Sequence, residues 1–369
     1  MIVKPDSKRV HIANTHVEFE YAASSSLGLE EGLSRYPLCL QLQFLPLLYA
    51  PSDDVVAVTT LPPADYLARL QQTPGWLHGT AQLIPMKATT PFRGKHCVSW
   101  GPSQAVLTWA RERNVHYALP HDWHMIRLVN SKAFSFRYTT LKEAALLTNE
   151  QDLLRWLEKI EGPKVLKTCF GLSGRGHRQI QHSSLSSAVL AFCQQEWKED
   201  RPLIGEPWLH RVGDFSSQWF IHTEEKIEKI GVTWFETDAR GGYQATVAGP
   251  EERLFAPWKD FLFQHLEFVT RPLQDIAKMG FSGFIGIDAL LYHDERTNKV
   301  NLYPIVEINA RQTLSLVALR MQQRLCPDRL FRLAFQSTKN GGNSLLPIRL
   351  VTSQGKEIRF QKQLTMNIL

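Results

Sequence analysis

Apolar and polar positions along the chain fall into two rhythms, and the change between them comes near residue 125. Before it, short apolar runs alternate with stretches of helical periodicity. DDVVAVTTL reads as a strand, PPADYLARLQQ as a helix opened by proline, KHCVSWG as a strand and PSQAVLTWARERN as a helix. This βαβα alternation predicts a doubly wound α/β domain over residues 1–125. Sheets of that kind bind ligands beyond the carboxyl ends of their strands, so Trp100–Gly101 and the pair Asp53–Asp54 border expected sites. After residue 125 the pattern is mixed. VNSKAFSFRYT leads into a charged helical stretch (LKEAALL, NEQDLLRWLEKI), then a strand and glycine loop (GPKVLKTCFGLSGRGHRQI) and a helix (SSLSSAVLAFCQQEWK). Strands follow at LIGEPWL, FSSQWFI and IEKIGVTWFETD.

The most informative stretch is GFSGFIGIDALLYHDERTNKVNLYPIVEINAR. Two apolar runs, 284–292 and 300–308, flank the polar segment His293–Lys299 and predict an antiparallel hairpin. With the turn centred on Thr297–Asn298, Asp288 and Glu307 are equally distant from it and face each other. Period-2 alternation puts Asn309 on the same face as Glu307. Facing carboxylates repel, and an acid inside an apolar strand is costly without a partner. A cation is therefore expected between them. Three oxygen-bearing side chains suit Mg²⁺, which takes few protein ligands and completes its shell with water and phosphate. The alternative is a surface hairpin with solvated acids.

GLSGRGHR places Gly171, Gly174 and Gly176 directly after an apolar strand, with Ser173, Arg175 and His177 between and beyond them. Glycines let backbone N–H groups close over phosphate oxygens. No Gly-Lys-Ser/Thr follows, so this is not a Walker A loop, and the spacing is not G-x-G-x-x-G. A plain hairpin turn explains such a loop equally well. Lys167, inside V-L-K-T-C-F just upstream, is placed to reach an anion; the alternative is an edge lysine reaching to water.

Together these residues resemble the ATP-grasp superfamily, over roughly residues 126–320. The resemblance implies that Asp288, Glu307 and Asn309 hold one or two Mg²⁺ ions (Mn²⁺ as a substitute), with Arg311 as the basic residue just beyond. It implies that Lys167 and the loop Gly171, Ser173, Gly174, Arg175 and Gly176 hold ATP phosphates, and that Lys132 in V-N-S-K is the first phosphate lysine. The adenine hinge then falls at Glu206, Trp208 and Leu209, where Pro207 has no N–H and the donor must be Trp208 or Leu209. The implied architecture is an N-terminal doubly wound α/β domain (1–125) followed by two α+β subdomains that clamp ATP, at 126–205 and 206–369. The implied activity is an ATP-dependent ligase that activates a carboxylate as an acyl phosphate and joins it to an amine, releasing ADP and phosphate. Arg311, expected to share the strand face of Asn309, and Arg240, in the glycine-broken loop ETDARGGYQATV, are its candidate catalytic residues. A carboxylate–thiol ligase, a phosphotransferase and a non-catalytic ATP-binding regulator are the alternatives. Enzymes of the superfamily are often homodimers.

Composition narrows this little. The chain has 369 residues, 43% hydrophobic and 21% charged, an ordinary globular composition. No apolar run approaches the roughly 20 residues of a membrane span, and MIVKPDSKRVHI has no signal-peptide core. The five cysteines lack metal-site spacing, which suits a reduced, cytoplasmic protein. A net charge of +6 is dispersed, without the arrays of a nucleic-acid reader. The most basic stretch, RLVTSQGKEIRFQKQL, reads as an edge hairpin guarded by lysines.

Overall fold

The structure of the protein, a computed structural model, describes residues 8–23, 27–73, 80–171, 176–181, 185–238, 241–341, 343–352 and 355–369. The chain folds into two units that interleave along the sequence. Unit 1 takes Met1–Trp123, Gln244–Leu254 and Arg311–Leu369; unit 2 takes His124–Tyr243 and Phe255–Ala310.

Unit 1 opens with β1 (Arg9–Ile12), β2 (Val55–Val58), β3 (Gln82–Pro85) and β4 (His96–Ser99), a parallel sheet in the order β3-β2-β1-β4. The order reverses at β1, as the βα alternation predicts for a doubly wound sheet. The helices Ala64–Gln71 and Gln104–Glu112 lie where periodicity places them. The second starts at Ser103, whose Oγ accepts from Val106 N at 3.1 Å. The Glu20 carboxylate adds two more bonds, from the N–H groups of Gln104 (2.7 Å) and Ala105 (3.1 Å). Its buried face, Ala105, Val106, Trp109 and Ala110, packs on Val10, Ile12, Val55 and Ala57. Asn14 and Gly101 exchange two hydrogen bonds and so join the carboxyl ends of β1 and β4. The acidic pair does not border that end. Asp54 immediately precedes β2, at the amino end of the sheet, where it is buried and bonded to His11 Nε2 (2.8 Å) and Arg9 N (2.9 Å).

Unit 2 holds two antiparallel sheets. The first contains β5 (Ala145–Leu147), β6 (Lys164–Thr168), β7 (His177–Ile180) and β8 (Leu203–Pro207) in the order β5-β8-β6-β7. Helices Glu150–Lys159 and Ser187–Lys198 cover it, burying Leu153, Trp156, Leu157 and Cys193 against Leu166 and Leu203. The chain continues through β9 (His210–Thr223) and β10 (Lys226–Thr237), passes into unit 1 at β11 (Tyr243–Ala248), and returns for β12 (Gly283–Asp294) and β13 (Lys299–Asn309). In unit 2 these strands run in the order β13-β12-β9-β10. Alternation makes this sheet two-faced. Ile285, Ile287, Ile305 and Ile308 pack on Val269, Leu273 and Ile276 of the helix Lys259–Lys278, so the residues between them face the other way. Unit 1 then closes with β14 (Phe331–Ser337), the ribbon β15–β16 (Arg349–Val351, Glu357–Arg359) and β17 (Lys362–Ile368); β11, β14 and β17 pair antiparallel.

The hairpin β12–β13 has the predicted facing pair but not the predicted turn. Asp294 pairs with Lys299, so the turn spans residues 295–298, with Asn298 at φ 54°. Unbroken pairing from there would set Asp288 against Ile305. Between the pairs Leu290↔Tyr303 and Asp288↔Glu307, however, β13 advances four residues while β12 advances two. That bulge, which includes Pro304, restores Asp288 to Glu307. Proline lacks the N–H that a regular ladder needs, which suits it to this position. The carbonyl of Pro304 accepts from the fully buried His265 Nδ1 at 2.9 Å, and His265 Nε2 meets Ser217 Oγ at 2.8 Å. Burial holds His265 at about 4 instead of 6.5.

Candidate functional site

The polar face of the second sheet is built in rungs. Asp288 is paired on one side with Glu307 and on the other with Ser216; Gly286 lies between Asn309 and Gln218, and Leu290 between Tyr303 and Asp214. Asp288 and Glu307 are therefore cross-strand neighbours, and the Asn309 amide lies within 3.3 Å of Asp288 Oδ2. The donors are two carboxylates and an amide that offers its oxygen after half a turn, all hard oxygen ligands. That chemistry fits Mg²⁺ or Mn²⁺. No group of three or more His, Cys, Asp or Glu side chains suited to a metal gathers among the described residues, so any ion here takes part of its shell from elsewhere.

Lys132 reaches Glu307 Oε1 at 2.6 Å. Read in isolation it looks like a surface lysine, but it is only 8% exposed, because the segment around it is fastened at three points. Asn130 Oδ1 accepts from Ala310 N (2.9 Å), Ser135 Oγ accepts from Ile308 N (2.9 Å), and the Lys132 N–H donates to Cys169 O (2.9 Å). The first two bonds grip the end of β13 around Asn309. The third ties Lys132 to the end of β6, two residues beyond Lys167.

Lys167 in turn bonds to Glu206 Oε2 at 2.5 Å. Glu206 Oε1 accepts from the Tyr303 hydroxyl (3.1 Å), which itself accepts from Thr139 Oγ1 (3.1 Å). Burial first, and Glu206 second, push the Tyr303 phenol well above 10. Beside this carboxylate, Leu141, Leu290 and Tyr303 form an apolar cluster with Leu209, Tyr292 and Val306. The Trp208 N–H is committed to Pro163 O at 2.8 Å, so of the two hinge donors expected from the sequence, Trp208 is engaged within the fold. Gly176 has φ 91°, and a Cβ there would lie 2.4 Å from Thr168 Oγ1, so both conformation and space require glycine. Gly171 follows Phe170, whose carbonyl accepts from Thr168 Oγ1. Ser173, Gly174, Arg175 and Arg240 lie outside the described residues.

Arg311 does not share the strand face of Asn309. β13 ends at Asn309, and the guanidinium is held by Glu18 Oε1 (2.8 Å from Nε, with a second bond from Nη2) and by Gln312 O. Two residues of this face, Asp214 and Tyr303, went unread in the sequence. Asp214 is bonded by Arg211 and by Thr237 Oγ1 (3.2 Å). Tyr303 had no local signal, because its partner Glu206 is remote in sequence. His177, noted in the sequence only as following the glycine loop, is the register partner of Lys167 across β6–β7.

No protein-family model and no curated protein matches the sequence. Solved structures do match the fold. Phosphoribosylamine–glycine ligase from Thermotoga maritima aligns with a TM-score of 0.53 at 12% identity, covering 98% of this chain and 92% of that one. N5-carboxyaminoimidazole synthetase from Staphylococcus aureus, complexed with ADP, aligns with a TM-score of 0.50 at 13% identity, covering 100% and 94%. An ADP complex of N5-carboxyaminoimidazole ribonucleotide synthetase gives 0.50 at 11% identity over the same shares. A parallel sheet that reverses at its first strand, a small antiparallel sheet and a two-faced antiparallel sheet accord with these alignments: the chain has the ATP-grasp fold.

Proposed function

We propose that the protein is an ATP-dependent ligase that activates a carboxylate as an acyl phosphate and transfers the acyl group to an amine, releasing ADP and phosphate. The observation that carries this reading is the register Asp288↔Glu307 with Asn309 beside it and Lys132 on Glu307. Acids directly opposed on neighbouring strands, with a buried lysine among them, suit a site that handles a cation and a polyanion. The solved structures of similar fold include one described as a ligase and two described as ADP complexes of synthetases.

In this mechanism adenine lies against Leu209, Leu290 and Val306, with the Leu209 N–H at its edge, because Trp208 N–H is engaged by Pro163. Lys167 and Lys132 exchange their carboxylate partners for phosphate oxygens and align the polyphosphate. Asp288, Glu307 and Asn309 would hold Mg²⁺, which supplies charge neutralisation at the phosphates when bound. Phosphoryl transfer to a carboxylate demands position and charge stabilisation more than a protein nucleophile. The amine then displaces phosphate from the acyl phosphate. Arg311, already engaged by Glu18, is given no step.

The test is a pooled screen: amino acids and small acids with ATP and Mg²⁺, reading ADP, phosphate and product mass. ADP release that requires both an acid and an amine, with a condensed product, supports the proposal. Release only with a thiol acceptor favours a thiol ligase, and nucleotide binding without turnover in any pool favours a regulator.

A further inference from the structure

His177 opens β7 directly after Gly176 and is the register partner of Lys167 on β6. Cross-strand partners carry their side chains on one face, so the imidazole and the Lys167 ammonium are neighbours. Packing leaves this ring in mixed company. Lys167 on β6, Lys132 on the segment fastened to β13 and Arg211 on β9 oppose its protonation, while Glu307 on β13 favours it. Glu206 on β8 faces the same lysine. The adjacent Arg178 stands over the Phe192 ring, 4.5 Å from its centroid. Burial first, and these cations second, hold His177 at about 3, so the ring is neutral near pH 7.

No cation of this group is spare. Lys132 is matched by Glu307, Lys167 by Glu206 and Arg211 by Asp214, and Asp288 opposite Glu307 adds a further acid. A polyphosphate entering this group adds several negative charges that no spare cation among these pairs meets. A divalent ion supplies part of the difference. A histidine held neutral by surrounding cations supplies more, because an anion at close range favours its charged form.

We propose that His177 is a third polyphosphate ligand beside Lys132 and Lys167, charged only while the nucleotide is bound, its proton taken from solvent. This rests on the reading of unit 2 as the nucleotide site. Arrival of the polyphosphate turns the dominant field at the ring from positive to negative, and the imidazolium then donates to a phosphate oxygen. The consequence is a proton linkage: each nucleotide bound carries a fraction of a proton with it, and affinity rises as pH falls.

The experiment is a calorimetric titration of the full chain with MgADP near pH 7, in two buffers of different ionisation enthalpy. The difference in heat counts protons taken up. The wild-type protein is expected to take up about half a proton or more. His177→Gln is expected to bind several-fold more weakly and to lose that uptake; protons belonging to the nucleotide itself are common to both and cancel. A histidine that only packs would weaken binding without changing the proton count, so equal uptake in both proteins overturns the proposal. Binding without that difference leaves the nucleotide site standing. Failure of wild type to bind MgADP overturns both readings. Should His177→Gln not fold, His177→Asn serves as the second variant, and the same difference in uptake decides.

Discussion

Lys132 and Glu307 belong to opposite ends of unit 2 in sequence, yet their side chains meet at 2.6 Å with little exposure on either. Such a pair contributes little net stability but sets the position of both groups. Glu307→Gln keeps an acceptor for Lys132 and removes the carboxylate opposite Asp288. It is expected to lower ATP turnover by on the order of a hundredfold or more with a nearly unchanged melting temperature; turnover close to wild type would remove Glu307 from the metal site. Lys167→Ala is different, because it leaves Glu206, 7% exposed at its side chain, without a cation. A loss of about 3 kcal/mol in stability is expected, as for other broken buried pairs, together with roughly tenfold weaker nucleotide binding. Denaturant melts and nucleotide titrations on one preparation separate the two effects, and unchanged affinity in a folded variant would exclude Lys167 from the site.

The hairpin shows what one element can and cannot disclose. Two apolar runs and a polar turn made β12 and β13 legible, and symmetry about that turn paired Asp288 with Glu307. The turn lies one residue earlier than symmetry places it, and a bulge in β13 makes up the difference. Nothing local announces the bulge except Pro304. Its support comes from His265, on a helix that precedes the hairpin in sequence and packs behind it. His265→Leu leaves the Pro304 carbonyl buried without its partner and the Ser217 hydroxyl with the Trp219 indole N–H. A destabilisation of about 1–3 kcal/mol is expected from the orphaned carbonyl. If the bulge positions Glu307, turnover should fall in the folded variant although His265 touches no substrate. Loss of stability with full activity under native conditions would mean that the bulge holds its register unaided. Lys132 was legible only through resemblance, because its environment depends on Asn130 and Ser135 reaching a strand far along the chain.

At the scale of the molecule, three rings among the described residues are held neutral by burial: His16 and His265 at about 4 and His177 at about 3, all below the ordinary 6.5. Between about pH 4 and 6.5 the unfolded chain binds protons at these rings that the folded protein does not. Stability therefore rises with pH through that window and is lost as pH falls. His16 and His265, 3% and 0% exposed, account for up to about 3 kcal/mol each at neutral pH. Urea midpoints are expected to drop steeply from about pH 7 to pH 5 in wild type, and less in a His16→Gln, His265→Leu protein. An acid limb of equal slope in both would place the titration on other groups. Among the described residues, no helix is long and apolar enough to cross a membrane. What the sequence settled unaided was local: the alternating order of the first sheet and the acids within an apolar hairpin, because periodicity and turn chemistry act over a few residues. The interleaving of the two units, the engagement of Arg311 by Glu18, and the company of His177 were decided only in three dimensions. Burial and long-range charge depend on which distant segments pack together, and no short window of sequence carries that information.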